Sequence, residues 1–249
     1  MKALVTGASS GIGKDITKEL VKRGYEIIAV ALEEDKLEEL KREIPQVVKT
    51  IAIDLSVREN CFKVYEMTKE DNVEVLVNNA GFGTVGTFNE TDLNWELAML
   101  DTNCAAMHIL FKLFLKDMVA KDSGRIMNLA SISSFAPGPN MAAYFACKSY
   151  VYRLTQSVFQ ELKWMNSKVT VTALCPSPTT TSFDAVANVK YNMKYLTSEY
   201  VAKKGVDAML KGKWCMTPGF VGKATKAMSK ILPDKLTAKI IGRFPKKRK

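Results

Sequence analysis

Tyr144 and Lys148 stand four residues apart in a stretch, Ala142–Met165, that contains neither proline nor glycine. On a helix, positions i and i+4 share a face, so the phenol and the ammonium can converge on one substrate. A nearby cation stabilises phenolate and draws its pKa toward working pH, as an acid/base group acting on a carbonyl or an alcohol requires. The spacing alone is weak. Tyr65 and Lys69 repeat it, flanked by Glu66 and Glu70, and read as a solvated helix face. What separates the two pairs is Ser131, which lies thirteen residues before Tyr144 and just past an apolar run, where Tyr65 has Ala52. A serine hydroxyl there can position the substrate oxygen beside the phenol, although a capping serine would look the same.

A second chemical signal lies near the N-terminus. Thr6-Gly7-Ala8-Ser9-Ser10-Gly11-Ile12-Gly13 joins a β-rich run to an amphipathic one. Glycines at such a turn let backbone N–H groups approach a pyrophosphate, and the helix N-terminus adds favourable partial charge. The same residues match G-x-S-x-G, which would make Ser9 a hydrolase nucleophile needing a histidine base. The one histidine, His108, sits in an apolar stretch and reads as a packing residue. The hydrolase reading is correspondingly weak.

The elements that must position these residues follow from the pattern. Strands are expected at Ala3–Thr6, Glu26–Ala31, Thr50–Ile53, Glu74–Asn78, Arg125–Ala130 and Val169–Cys175. Helices are expected near Ile12–Arg23, Asp35–Glu43, Val57–Glu70, Asp92–Lys121 and Ala142–Met165. Alternating strands and helices build βαβ units, and hence an α/β, Rossmann-type, doubly wound parallel sheet. Such sheets bind ligands at their strand C-terminal ends, where Asp54, Asn78 and Ser131 fall. Residues 1–222 read as one dinucleotide-binding domain and 223–249 as a C-terminal extension.

Taken in order, these motifs resemble the short-chain dehydrogenase/reductase family over roughly residues 1–222. The Thr6–Gly13 loop, Asp54, Asn78-Asn79-Ala80-Gly81, Asn103, Ser131, Tyr144 and Lys148 carry the likeness. The resemblance implies a cofactor, NADP or NAD, held by Gly7, Ser9, Ser10, Gly11 and Ile12. Asp54 with Leu55 would meet the adenine, and Asn79, Ala80 and Gly81 would line the dinucleotide. Asn103 would hold the water of a proton relay reaching Lys148, which would also bind the nicotinamide ribose. Asp54 capping the next turn, and Asn103 bending its helix, are the plainer alternatives. Pro176, Thr179 and Thr181 would contact the nicotinamide end. There the family's usual P-G-x-x-x-T reads Pro176-Ser177-Pro178-Thr179-Thr180-Thr181, and serine disfavours any conformation with φ > 0.

The likeness also implies a homodimer or homotetramer, and a mobile lid over Ser182–Leu196. Phe183, Tyr191, Met193 and Tyr195 in that lid suggest a small apolar carbonyl or alcohol substrate. At the end of the second strand, Ala31 and Leu32 supply neither the acid that favours NAD nor the arginine that favours NADP. A non-catalytic nucleotide-binding regulator is the competing class, though binding alone does not need Asn103, Ser131, Tyr144 and Lys148 together.

Composition limits the remaining choices. The 249 residues are 47% hydrophobic and 25% charged, an ordinary globular balance. No uncharged apolar run approaches the roughly 18 residues of a spanning helix. The first strand begins at Ala3, so no signal peptide is expected ahead of the fold. Five scattered cysteines without a C-x-x-C pair argue against a zinc site and for a reducing cytoplasm.

The net charge of +10 is concentrated in residues 223–249, with ten Lys/Arg and one acid, leaving +1 for residues 1–222. That distribution speaks against nucleic acid, whose backbone would call for charge on the body. In the tail, Lys235, Lys239, Arg243 and Lys246 fall at helical spacing beside Leu236, Ile240, Ile241 and Phe244. Packing on the body or on a sister subunit is expected, with peripheral contact to an anionic membrane surface as the alternative.

Overall fold

The computed structural model describes residues 1–191 and 193–247. Asn192 of the expected lid, and Arg248 and Lys249 of the tail, lie outside the described residues. The first half runs β1 (Lys2–Thr6), α1 (Gly11–Val21), β2 (Glu26–Ala31), α2 (Glu34–Glu43), β3 (Val47–Ala52), α3 (Arg58–Thr68) and β4 (Val73–Asn78). Then come α4 (Leu93–Leu100), a π-helical turn over Asp101–Ala106, α5 (Met107–Ala120), β5 (Arg125–Leu129), α6 (Ala142–Trp164) and β6 (Thr170–Leu174). The remainder is β7 (Thr179–Thr180), α7 (Phe183–Val186), β8 (Val189–Tyr191), β9 (Leu196–Thr197) and α8 (Ser198–Leu210). It closes with β10 (Cys215–Met216), α9 (Gly219–Ile231), α10 (Asp234–Ile241) and β11 (Pro245–Lys247).

Seven parallel strands form the main sheet in the order β10-β6-β5-β4-β1-β2-β3. Both faces are covered, so β1, β2 and β4 read as near-continuous apolar runs. Alternate residues divide between two cores. Leu4, Ile28, Leu76 and Ile126 meet Leu110, Phe111 and Phe114 of α5 and Val151 of α6. Ala3, Val5, Ile27 and Val75 meet Ile16 and Leu20 of α1 and Val201 and Val206 of α8. Strand order reverses between β1 and β4, which opens a crevice at their C-terminal ends.

All six expected strands are present, with ends shifted by up to three residues. The seventh, β10, is only two residues long and has no alternation to betray it. The expected helix over Asp92–Lys121 is continuous from Leu93 to Ala120, 28 residues, with the π turn inside it. By length and composition alone that helix could cross a membrane, although Glu96, Asp101, Lys112, Lys116 and Asp117 interrupt it and it is no uncharged apolar run. Here its Met107, Leu110, Phe111, Phe114 and Met118 are buried in the core.

The tail also departs from expectation. Helices form on either side of Pro233, but Lys246 lies in β11 rather than on a helix. That strand pairs antiparallel with β8, matching Pro245 to Tyr191 and Lys247 to Val189. Residue 222, the expected domain limit, falls inside α9.

Candidate active site

The crevice is built by cross-ties between β1 and β4. Thr6 Oγ1 accepts from the backbone N–H groups of Asn79 and Ala80, each at 3.0 Å. Asn79 Nδ2 in turn donates to the Thr6 and Gly7 carbonyls at 2.9 and 3.1 Å. Gly7 has φ +63° and a Cβ there would stand 2.7 Å from Asn79 Nδ2, so both conformation and space call for glycine. A Cβ on Gly13 would lie 2.1 Å from the Gly7 carbonyl oxygen, so the third glycine lets α1 begin directly against the loop. Ser10 precedes α1 without a side-chain cap, leaving the first amides of the helix turned to the crevice, as anion binding needs.

The catalytic candidates meet at the other end of the crevice. Ser131 follows β5 and caps the short 3-10 turn Ile132–Phe135. Its Oγ accepts from the Ser133 hydroxyl at 2.6 Å and from the Ser133 N–H at 3.2 Å. Ser134 Oγ donates to the Lys148 carbonyl at 2.7 Å, pinning α6 to this turn. Tyr144 is 7% exposed. Burial pushes its phenol up to about 12, with hydrogen bonds to Ser131 and Ser133 acting the other way.

Lys148 Nζ lies 5.8 Å from the Tyr144 ring centroid and donates to the Leu129 carbonyl at 2.8 Å. Burial draws its own pKa down. Desolvation therefore outweighs the expected help from Lys148 to the tyrosinate.

Asn103 sits in the π turn, 2% exposed, so the helix does deform where it stands. Its Oδ1 accepts from the Phe82 N–H at 3.0 Å and its Nδ2 donates to the Phe82 carbonyl at 2.8 Å. A Cβ on Gly81 would be 2.5 Å from Asn103 Oδ1 and 3.5 Å from Lys148 Nζ. Gly81 is thus the narrow point between these two side chains.

Between the loop and Tyr144 lies a cleft of about 400 Å³ lined by Ile12, Asn79, Gly81, Ser131, Tyr144 and Lys148, with Pro176, Thr179 and Thr181. Ser177 is absent from the residues with positive φ, so serine replaces the usual glycine without backbone strain. Thr181 packs on the glycine loop, its Cγ2 3.0 Å from where a Gly11 Cβ would be.

Phe183, Tyr191 and Met193 of the expected lid line the cleft. Tyr195 does not; its hydroxyl donates to Asp184 at 2.5 Å and accepts from the Tyr191 N–H at 3.1 Å. The part that sequence reasoning missed is the contribution of Val221 and, from the tail, Thr225, Met228, Ile241, Phe244 and Pro245. Only Ile241 and Phe244, in the tail's apolar sector, hinted at it.

Other candidates have simpler duties. Asp54 Oδ1 accepts from the Ser56 N–H at 2.8 Å, the turn-capping alternative, and the Leu55 side chain is buried in the core. Tyr65 is not merely solvated: its hydroxyl donates to Asp117 at 2.7 Å and its ring meets Phe114 edge-on at 5.4 Å. His108 is exposed and bonded to the Tyr150 hydroxyl at 2.6 Å, so it neither packs in the core nor serves Ser9.

A family model described as short chain dehydrogenase matches residues 1–192. The chain belongs to that family. An uncharacterised oxidoreductase of Staphylococcus saprophyticus is 34% identical over 181 residues, covering 70% of this chain and 76% of the relative. The Homo sapiens protein named inactive hydroxysteroid dehydrogenase-like protein 1 is 28% identical over 228 residues, covering 85% and 68%. A short-chain dehydrogenase from Sphingobium yanoikuyae, solved with NADPH, has the same fold: TM-score 0.81 at 23% identity, covering 93% of this chain and 96% of that one. This short-chain dehydrogenase is therefore an NAD(P)-dependent oxidoreductase interconverting carbonyl and CH–OH groups.

Proposed function

We propose that Tyr144 is the acid/base of a carbonyl–alcohol interconversion on a small apolar molecule, with hydride exchanged at a bound nicotinamide dinucleotide. The observation that carries this reading is the convergence of Tyr144, Ser131 and Lys148 on one apolar-walled cleft at the strand switch point. Ser131 and Ser133 orient the substrate oxygen toward the phenol. Tyr144 gives the proton in reduction and takes it in oxidation, and Lys148 supplies positive charge beside it. Asn103 holds Phe82, and through it Gly81, against Lys148.

Gly7, Ser9, Ser10, Gly11 and Ile12 with the start of α1 would hold the pyrophosphate. Asn79, Ala80 and Gly81 would line the dinucleotide, and Pro176, Thr179 and Thr181 the nicotinamide end. The cofactor would supply the hydride. Ala31 and Leu32 at the end of β2 favour neither NAD nor NADP. Lys14, a candidate reader of the 2′ position, is paired with Glu43.

The tail closes the substrate end rather than forming a separate unit, since α9, α10 and β11 all contribute to the wall. The scattered spacing of the five cysteines fits a reducing compartment. A homodimer or homotetramer is expected from the family resemblance.

A binding-only reading has one observation in its favour, the relative named as inactive. Against it stands the presence here of Asn103, Ser131, Tyr144 and Lys148. Nicotinamide absorbance followed over a panel of apolar ketones and secondary alcohols, with both cofactors, decides between them. Tight cofactor binding without turnover on any member would favour the regulator.

A further inference from the structure

A second groove, of about 610 Å³, opens beside β10 on the side of α9 away from the substrate cleft. Lys204, Lys213, Lys223, Lys226 and Lys230 line it with Cys215, and no carboxylate does. Lys226 is the unusual member. Its ammonium stands 4.6 Å from the Trp214 ring centroid and 5.6 Å from those of Phe135 and Tyr152. Such an aromatic cage stabilises a cation and desolvates part of it without supplying a counter-ion.

Among the described residues, the charged or ionisable partners of Lys226 are Cys215 and Tyr152, not an acid. Its Nζ donates to Cys215 Sγ at 3.1 Å. A caged ammonium with a sulfur as its nearest ionisable neighbour favours thiolate over thiol.

We propose that Cys215 and Lys226 form a thiolate–ammonium pair that reacts with small anionic disulfides, such as glutathione disulfide, to leave a mixed disulfide on Cys215. The lysines of the groove attract the negative groups of the reagent. The Cys215 thiolate attacks one sulfur, the new Sγ–S bond forms, and the old S–S bond breaks. The departing thiolate leaves with the electron pair and takes a proton from water. Cys215 is oxidised, half of the disulfide is reduced, and no other oxidant is needed.

Supporting the geometry, hydrogen bonds from the Cys175 thiol, Lys226 and Thr217 hold Cys215 below the ordinary thiol range despite desolvation. Burial keeps Cys175 itself protonated. Cys61, Cys147 and Cys175 are buried, leaving Cys104 as the other partly exposed thiol.

The test titrates the folded, reduced protein with the dianionic dithiobis-nitrobenzoate and with neutral dithiodipyridine, following colour release. One fast thiol per chain is expected with the anionic reagent, lost in Cys215→Ser and kept in Cys104→Ser. Lys226→Met should slow it about tenfold at neutral pH, and added salt should slow the anionic reagent alone. Glutathione disulfide should then give one reducible adduct on the peptide containing Cys215. Melting curves of the variants guard against loss of fold. A fast phase surviving Cys215→Ser would overturn the proposal. So would an adduct on another cysteine, or an anionic reagent showing no salt dependence in the wild-type protein.

Discussion

Asn103 and Phe82 are clasped amide to backbone, the side chain both accepting from and donating to the same residue, at 3.0 and 2.8 Å. The clasp is buried, so each lost partner leaves a desolvated backbone group unmatched. Asn103→Leu should therefore cost about 1–3 kcal/mol of stability. It should also lower kcat, because the Phe82 backbone, and with it Gly81 beside Lys148, loses its support. Gly81→Ala tests the same contact from the other side, since its new Cβ would press on Asn103 Oδ1. Reduced activity with wild-type melting in Gly81→Ala would fit this role, whereas unchanged kinetics in both variants would remove it.

With Tyr144 as the proposed acid/base, its buried phenol should set the pH dependence. Its pKa, pushed up to about 12, keeps it protonated across the neutral range. Reduction uses the protonated form, so its rate should be flat through neutral pH and fall only when the phenol ionises. Oxidation uses the phenolate, whose population rises as pH approaches the pKa from below, so that rate should climb with pH. Lys148→Met removes the neighbouring cation and should push the climb to still higher pH. Tyr144→Phe should cost about 10²–10⁴ in rate with cofactor affinity nearly unchanged. Near-normal turnover in Tyr144→Phe would exclude it as the acid.

The parts of this site that were legible in the sequence are local. The glycine loop, Asn79-Ala80-Gly81 and the Tyr144–Lys148 spacing each sit within a few neighbouring residues, and strand periodicity placed them at one rim. What depended on distant partners was not legible. Asn78 donates to Asn128 and Asn128 to Thr155, a buried chain across β4, β5 and α6 that no spacing announces. Pairing of β11 with β8 likewise joins a three-residue segment to the lid, and a strand that short has no pattern. Ser177 was legible as a departure, but its harmless backbone conformation was visible only in three dimensions.

Tyr65 gives an internal control. Its hydrogen bond to Asp117 and partial burial raise its pKa to about 12, as for Tyr144, yet Tyr65 does not line the cleft that Ser131, Tyr144 and Lys148 share. Tyr65→Phe removes one hydrogen bond and keeps the edge-on contact with Phe114. The expected loss is about 1 kcal/mol of stability, with kinetics unchanged. A fall in kcat comparable to that of Tyr144→Phe would mean that the two tyrosines had been assigned the wrong way round.

The tail separates packing from membrane contact. Ile241, Phe244 and Pro245 line the substrate cleft while β11 holds the lid strand β8, so the tail's apolar side is engaged by the body. Phe220 and Ile231 of α9 remain 84% and 79% exposed, so one face is still uncovered. Phe244→Ala should enlarge the cleft and raise KM for an apolar substrate roughly fivefold, about 1 kcal/mol, with little change in melting. Removing Pro233–Lys249 should lower the melting temperature in the absence of lipid and loosen substrate selectivity, because the lid loses its paired strand. A membrane-surface role makes the opposite demand. The shortened protein would keep its stability and its activity on soluble substrates, while the full chain bound anionic vesicles in a salt-sensitive way. Vesicle co-sedimentation beside the two melting curves distinguishes these outcomes. An unchanged melting point together with salt-sensitive vesicle binding would reassign the tail from the substrate wall to the lipid surface.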